Sequence, residues 1–145
     1  FFTSNFTYVQ STVDIPELEL QVNRAAYPNT PTTRELVGQS PYLINADLSY
    51  QSTNEKFRVD LSYNYFDDRL MIVTETATPD VFEKGYSTLN SALKFDLGER
   101  LSTSLKIKNL LNNDRVFVQE YSNNEFYYSK YKPGLEISAS ISYSF

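Results

Sequence analysis

The sequence predicts an all-β fold: an antiparallel up-and-down transmembrane β-barrel, of which this chain supplies about six strands. Three observations support this class. Six segments alternate apolar and polar residues with the period of an extended strand. The connections between them are alternately long and short, and the polar face of several segments carries charged residues at mid-strand. The alternation is clearest in the closing segment "LEISASISYSF", where almost every polar position is Ser.

Composition excludes several other classes. The 145 residues suit one domain and contain no Cys and no His, which removes disulfides, thiol chemistry, His-dependent catalysis and most zinc sites. A net charge of −5 argues against nucleic acid as a partner. No apolar run is long enough for a membrane helix. The chain starts without Met or a signal peptide, so we expect it to begin inside a longer or processed protein.

The first three predicted strands are Phe2 to Gln10, Tyr42 to Gln51 and Phe57 to Phe66. In the first, Phe and Tyr alternate with Thr and Asn. "YLINADLSYQ" places Ile, Ala, Leu and Tyr on one face, and "FRVDLSYNYF" places Phe, Val, Leu and Tyr there. We expect the third strand to continue past Asp67-Asp68 to Thr74.

The last three predicted strands are Tyr86 to Leu97, Leu101 to Leu111 and the closing strand from Leu135. Each alternates Leu, Ile or Phe with Ser, Asn, Lys or Asp. Beyond the fifth strand, Arg115 to Glu120 changes apolar parity. That change predicts a bulge or a break at Asn112-Asn113-Asp114.

The predicted connections differ in length in a regular way. Ser52 to Lys56 and Gly98 to Arg100 are short, whereas Ser11 to Pro41, Glu75 to Gly85 and Tyr121 to Pro133 are long. In an up-and-down sheet this alternation puts every short turn at one end and every long loop at the other. Outer-membrane barrels have this asymmetry, with short periplasmic turns and long outside loops.

Two of the long connections carry recognisable patterns. Ser11 to Pro41 reads as an irregular exposed segment with a short hairpin in Leu18 to Val22, serving either as a ligand contact or as passive cover. The Tyr-rich "EYSNNEFYYSKY" reads either as a recognition surface or as interstrand packing and an interfacial girdle.

The polar face predicts an aqueous lumen, because charges at mid-strand need no partner there, whereas a buried core would demand one for each. The residues predicted to face the lumen are Asp47, Arg58, Asp60, Lys94, Asp96, Lys106, Lys108 and Glu136. Tyrosines near the strand ends suit interfacial girdles, namely Tyr8, Tyr42, Tyr50, Tyr65 and Tyr143. Six strands cannot close a barrel, and the small lumen residues suit a wide one. We therefore infer one wall of a larger cylinder.

Four stretches resemble the carboxy-terminal part of a TonB-dependent outer-membrane receptor of the Bacteroidetes type. They are "RELVGQSPYLINADLSYQ", "VDLSYNYFDDRL", "LKIKNLLNND" and "YKPGLEISASISYSF", in the family's order and spacing. "GQSPYLIN", "KNLLN" and the terminal aromatic are jointly specific. The corresponding motif residues are Gly38, Gln39, Ser40, Pro41, Asn45, Lys108, Asn109, Leu110, Leu111 and Asn112.

This resemblance implies a barrel of about 22 strands with an amino-terminal plug, the present chain (residues 1–145) supplying the last six strands. It implies import of a scarce nutrient such as an iron chelate, cobalamin, a glycan or a peptide, powered through TonB, ExbB and ExbD. Implied partners are membrane lipid, lipopolysaccharide, the barrel-assembly machinery and a surface lipoprotein, with no cofactor, in the outer membrane of a Gram-negative bacterium. Ile141, Tyr143 and Phe145 correspond to the assembly signal. The plug and the TonB-contacting segment are absent from this sequence.

The sequence gives less support for ligand binding, metal binding or catalysis by the polar clusters than for roles in turns and backbone capping. "KNLLN" could contact a ligand, but Asn side chains at a strand end favour a backbone-capping role. Asp67-Asp68, Asn112-Asn113-Asp114 and Asn123-Asn124-Glu125 offer oxygen ligands for Ca²⁺, yet none has the spacing of a calcium loop, so we predict no metal. Adjacent carboxylates in a strand point to opposite faces, so we predict no enzyme and no catalytic residue.

Two other classes remain open at this stage. A small eight-stranded outer-membrane barrel with a structural or adhesive role would require two further strands within Ser11 to Pro41. A soluble β-sandwich binding module would require the apolar faces to pack against each other.

Overall fold

The computed structural model describes residues 1–74, 78–98, 100–121 and 124–145. Twelve strands and one helix are present in these ranges. The strands are β1 (Phe2–Tyr8), β2 (Thr12–Asp14), β3 (Thr33–Glu35), β4 (Tyr42–Gln51), β5 (Phe57–Phe66), β6 (Arg69–Ile72), β7 (Val81–Glu83), β8 (Tyr86–Asp96), β9 (Leu101–Lys108), β10 (Arg115–Tyr121), β11 (Asn124–Tyr131) and β12 (Glu136–Tyr143). The helix is α1 (Glu17–Ala26).

The six predicted strands form one sheet in the order β1-β4-β5-β8-β9-β12, which we call the wall sheet. Every neighbouring pair is antiparallel, so the chain runs up and down without a crossover. The all-β class and the antiparallel arrangement are thus confirmed. The bounds of β4 and β5 are the predicted ones, and the other wall strands end one to three residues short of prediction.

The register places most apolar residues of the six wall strands on one face. Leu48 lies opposite Leu61, Leu93 lies opposite Leu105, and Ala139 lies opposite Leu105 on the other side. A shift of one residue in any pairing would move that strand's apolar side chains to the other face. The wall sheet therefore has one continuous apolar face and one continuous polar face.

The long connections are folded and contain most of the remaining strands. β6, β7, β10 and β11 form a four-stranded sheet in the order β11-β10-β7-β6, which we call the outer sheet. The expectation that the third strand continues to Thr74 is therefore wrong: β6 pairs with β7 in the outer sheet and is separated from β5 at Asp67-Asp68. Of the connection predicted at Tyr121 to Pro133, the described part is mostly strand β11.

The predicted hairpin in Leu18 to Val22 is also wrong, because this segment lies in α1. Five alternating residues fit a short strand, but the longer stretch "ELELQVNRAA" is rich in good helix formers. Glutamates occupy its first turn and Arg24 its last, which suits the helix dipole. β2 and β3, on either side of α1, pair only with each other.

Among the described residues, three of the four buried apolar side chains lie in the outer sheet, and the fourth, Tyr86, lies at the start of β8 in the wall sheet. Leu70, Val81 and Val118 are each 1% exposed, whereas Ile141 on the apolar wall face is 77% exposed. Within the described ranges, no wall-sheet residue of the apolar face is fully buried. The wall sheet is a single layer, whereas a water-soluble domain buries its apolar faces between layers.

Among the described residues, no helix has the length and apolar character needed to cross a membrane.

Candidate functional site: the polar trough and its outer rim

The polar face of the wall sheet forms an open trough. The register places all the charged residues predicted to line the lumen on this one face. Their register partners are polar or small: Asp47 faces Ser62, Lys106 faces Ala92 and Ser138, and Asp96 faces Ser102. Two adjoining cavities of about 470 and 350 Å³ lie along the trough. Their volumes fall within or near the range of small-molecule sites.

Most charges in the trough are neutralised locally. Asp60 accepts hydrogen bonds from Arg58 on the same strand, at 2.9 Å from Nε, and from the Ser49 hydroxyl at 2.5 Å. Two further ion pairs hold Asp96 and Glu136: Lys94 to Asp96 at 3.1 Å and Lys108 to Glu136 at 2.8 Å. Within the described residues, Asp47 and Lys106 have no ion-pair partner.

The "KNLLN" segment forms the break between β9 and β10. Asn109 and Asn112 adopt left-handed backbone conformations with φ of 57° and 47°, which Asn tolerates better than most residues. The Asn109 side chain donates to the Gly134 carbonyl at 2.7 Å, and its backbone N–H donates to the Asn90 side chain at 3.0 Å. Asn109 thereby ties the end of β9 to β8 and to the segment that leads into β12, at the outer rim of the trough. Leu110 and Leu111, which follow it, are exposed.

The "GQSPYLIN" segment forms the entry to β4 at the same rim. Gly38, with φ of 78°, donates its N–H to the Leu70 carbonyl of β6 at 2.7 Å. The Ser40 hydroxyl is buried within hydrogen-bonding distance of the Tyr42 and Asp67 carbonyls, at 3.0 and 2.9 Å. Gln39 accepts a hydrogen bond from Ser11.

The other two residues of this motif have distinct positions. The Pro41 carbonyl accepts from the Val9 N–H at 3.0 Å. Asn45 lies on the polar face between Asn5 and Asn64. The motif thus joins β1, β4 and the outer sheet at one rim.

A buried ionic cluster joins three strands of the outer sheet. Glu83 is fully buried and accepts hydrogen bonds from Arg69, at 2.9 Å from Nε, and from Arg115, at 2.8 Å from Nε. The Arg69 guanidinium lies 4.2 Å from the centre of the Phe66 ring. Burial alone would lower the pKa of Arg115, but the hydrogen bonds and charge of Glu83 outweigh it, and the pKa lies above its ordinary value. One carboxylate balances only one of the two guanidinium charges, so the cluster keeps a net positive charge while it links β6, β7 and β10.

Sequence reasoning missed Glu83. The available signal was an acidic residue two positions from Val81 in "VFE", within the predicted long connection Glu75 to Gly85. Its two basic partners are 14 and 32 residues away in sequence, so local pattern could not pair them.

The acidic and amide clusters considered for Ca²⁺ are engaged elsewhere. Asp68 pairs with Lys84 at 2.5 Å and accepts from the Gly85 N–H at 2.6 Å. Hydrogen bonds to Asp68 and Glu125 raise the pKa of Lys84 well above its ordinary value. Asp114 pairs with Lys130 at 3.0 Å. Asn123 lies outside the described residues, and within them no group of three or more Asp, Glu, His or Cys side chains is placed to hold a metal ion.

The residues of the predicted assembly signal lie on the last strand and just beyond it. Ile141 and Tyr143 are exposed on the apolar face of β12, and Phe145 is fully exposed with its ring 5.2 Å from that of Tyr143. β12 pairs with β9, and no described strand pairs with its other edge.

Comparison with models of known protein families, with curated proteins and with solved structures finds no match for this chain. The class that the described residues define is therefore an all-β protein. It has an antiparallel six-stranded wall sheet, an open polar trough and a folded outer sheet at one end.

Proposed function

We propose that this chain is the carboxy-terminal wall of a TonB-dependent outer-membrane transporter that imports a scarce nutrient. In this proposal the apolar face of the wall sheet contacts lipid and the trough borders the aqueous lumen. The outer sheet and α1 stand at the extracellular mouth. The chain acts by selective passage of a solute, without chemical conversion.

The observation that carries the proposal is the exposed, continuous apolar face. Ile137 is 64% and Leu48 49% exposed, yet the register aligns them with the apolar residues of neighbouring strands. Leaving such a face in water costs about 25 cal/mol for each Å² of apolar surface. Hydrocarbon removes this cost, and the opposite face, rich in Ser and charged groups, needs water.

The dimensions of the wall sheet support a membrane setting. β4 and β5 are each 10 residues long, as transmembrane strands are. Tyr42 and Tyr50 stand eight residues apart on the apolar face, about 27 Å along the strand at ~3.4 Å per residue. At a tilt of ~40° this spans about 20 Å of bilayer, close to the spacing of aromatic girdles in outer-membrane barrels.

Rings cluster at both ends of the wall sheet. At the short-turn end the rings of Phe57 and Phe95 are 4.8 Å apart, and at the other end those of Tyr8 and Tyr42 are 5.2 Å apart. Between these ends the face is mostly aliphatic, with Ser4, Tyr63 and Ser91 interspersed. This distribution suits two interfaces on either side of a hydrocarbon layer.

The transport role rests on the sequence resemblance and on the asymmetry of the connections. All three long connections lie at one end of the wall sheet, where they build the outer sheet and α1. Folded loops on a rigid scaffold are suited to recognition. The energy-coupling parts of such a transporter would lie outside this chain.

A face-labelling experiment tests the membrane assignment. These 145 residues contain no Cys, so Ala139→Cys and Ser140→Cys, made in a full-length protein whose cysteines elsewhere are replaced by Ser, place single thiols on opposite faces of β12 in its own membrane. We expect a fluorophore at position 139 to be quenched by a nitroxide dissolved in lipid, and one at position 140 by a water-soluble quencher. Equal quenching by the water-soluble agent at both positions would refute a lipid-facing apolar side.

A second experiment tests energy coupling and transport. The producing bacterium, a strain lacking this protein and a strain lacking TonB are grown in the same medium, and solute depletion is followed by mass spectrometry. We expect at least one solute to be consumed by the first strain alone. If loss of TonB spares every solute whose uptake depends on this protein, the transport mechanism is refuted.

The alternative of a small eight-stranded barrel has less support. It requires two wall strands within Ser11 to Pro41, but β2 and β3 are three residues long each and belong to a separate two-stranded sheet. A strand count in the intact particle discriminates between the two readings.

A further inference from the structure

Lys106 occupies a distinctive position in the trough. It lies at mid-strand on β9 and lines both the 470 Å³ and the 350 Å³ cavity. It is also the one cationic residue of the trough without a counter-ion among the described residues: Arg58, Lys94 and Lys108 each have an acidic partner at 2.8–3.1 Å. Its ammonium group therefore keeps its hydrogen-bond donors for another partner.

The surroundings of Lys106 explain why it stays unpaired. Its cross-strand neighbours on this face are Ala92 and Ser138, which are small and uncharged. One strand further on, Asp60 lies in register with Ala92, but Asp60 is already engaged by Arg58 and by the Ser49 hydroxyl.

The other unpaired charge of the trough is too distant to serve. Asp47 lies on β4, three strands from β9, or about 14 Å at the usual strand spacing. The small neighbours of Lys106 leave open space beside its ammonium group, and that space is lined by hydroxyls, including the hydrogen-bonded pair Ser104 and Ser140 at 2.8 Å.

We propose that Lys106 is the binding contact for a small solute bearing a carboxylate or phosphate group, held in the trough with help from the neighbouring serine hydroxyls. The inference rests on the proposed function, since it takes the trough as the aqueous side of the wall. It names an anionic group as the feature of the solute that this wall recognises.

The physical basis is the contrast between Lys106 and the other cations. A paired lysine must give up its carboxylate before it can bind another anion, whereas Lys106 gives up only water. Charge-assisted hydrogen bonds are about twice as strong as neutral ones, so one ammonium and two hydroxyls suffice to orient an oxyanion.

The test uses the full-length protein in detergent micelles and inorganic phosphate as the probe, at constant ionic strength. Reductive methylation of each lysine is timed by mass spectrometry. Without phosphate we expect Lys106 to react at least as fast as Lys94. With phosphate we expect saturable protection of Lys106 by at least ~5-fold, less than 2-fold protection of Lys94, and no effect of glucose.

A binding measurement provides the matched control. Equilibrium dialysis of labelled phosphate compares Lys106→Met with Lys94→Met, two variants that remove the same charge from the same face. We expect the first to weaken binding at least ~10-fold and the second less than 2-fold. Equal weakening would show that binding follows total charge and would overturn the proposal.

The remaining outcomes also decide the matter. If Lys106 reacts much more slowly than Lys94 before phosphate is added, a polypeptide carboxylate already occupies it and the proposal is wrong. The absence of saturable protection overturns it as well. Either result leaves the face-labelling test of the membrane wall unaffected, so the two failures are distinguishable.

Discussion

The assignment of the two faces of the wall sheet makes a quantitative prediction about charge. Leu105 and Ser104 are neighbours on β9 and therefore point to opposite faces. We consider Leu105→Arg and Ser104→Arg, which add the same side chain a few ångströms apart. In the proposed setting the first enters hydrocarbon and the second enters water.

The depth of Leu105 sets the size of the effect. It lies four residues from Leu101 at the start of β9, about 14 Å along the strand, and is flanked by Leu93 and Ala139 in the aliphatic middle of the face. Arg at the bilayer midplane on the lipid face of a barrel costs about 2–4 kcal/mol. Ser104→Arg loses an exposed hydroxyl contact to Ser140 and places a second cation opposite Lys94, and each of these costs is at most about 1 kcal/mol in water.

Tyr50→Arg supplies the depth control, because Tyr50 lies on the same face but at the short-turn end of β4. Near the interface the cost of Arg falls to about 0–1 kcal/mol. The free energy of unfolding is measured for the full-length protein in lipid vesicles by guanidinium titration, from both the folded and the unfolded side, with circular dichroism and gel mobility as probes.

Two results would refute this reasoning. A cost below about 1 kcal/mol for Leu105→Arg would mean that this face is in water. Equal costs at Leu105 and Tyr50 would mean that the cost of Arg does not depend on depth. The face would then be covered by protein and not by a bilayer. The expected order is Leu105→Arg far above Tyr50→Arg and Ser104→Arg.

Three further predictions concern the outer rim. Glu83→Gln should destabilise the protein by about 3–5 kcal/mol, because it leaves two partly buried arginines without their carboxylate. The control Glu136→Gln removes an exposed ion pair and should cost less than about 1 kcal/mol, so similar losses in guanidinium unfolding would contradict a buried cluster. Gly85→Ala should cost about 1–3 kcal/mol of unfolding free energy, because the new Cβ would lie 2.8 Å from the Tyr65 hydroxyl. Adding Tyr65→Phe should relieve part of this loss, so additive losses in the double variant would rule out the clash. Asn109→Ala should cost about 2 kcal/mol, because Ala is strained at a φ of 57° and loses the hydrogen bond to the Gly134 carbonyl. Asn109→Gly removes the strain and should recover roughly half of this loss in the same assay. An Ala variant as stable as the parent would contradict the role of Asn109 in joining these segments.

Part of this architecture is readable from local pattern alone. The bounds of β4 and β5 and the division of the wall sheet into two faces follow from period-two alternation, because neighbouring side chains of a strand must point in opposite directions. The positions of Asp47 and Lys106 on a common face needed only the strand assignment and an up-and-down order. The change of apolar parity before Arg115 predicted a bulge or break at Asn112-Asn113-Asp114, whereas β9 already ends at Lys108.

Other features depend on which distant segments meet. α1 and β11 were misjudged because short polar or Tyr-rich stretches have no dominant period, and their state depends on their neighbours. The carboxylate of Glu83 can be buried because β6 and β10 each place an arginine within hydrogen-bonding distance of it.

The sequence by itself determined the antiparallel wall and its two faces, since alternation is a property of each strand alone. Tertiary structure alone decided the outer sheet, the Glu83 cluster and the unpaired state of Lys106. Whether a charge finds a counter-ion depends on the register and spacing of strands distant in sequence, and no local pattern encodes those distances.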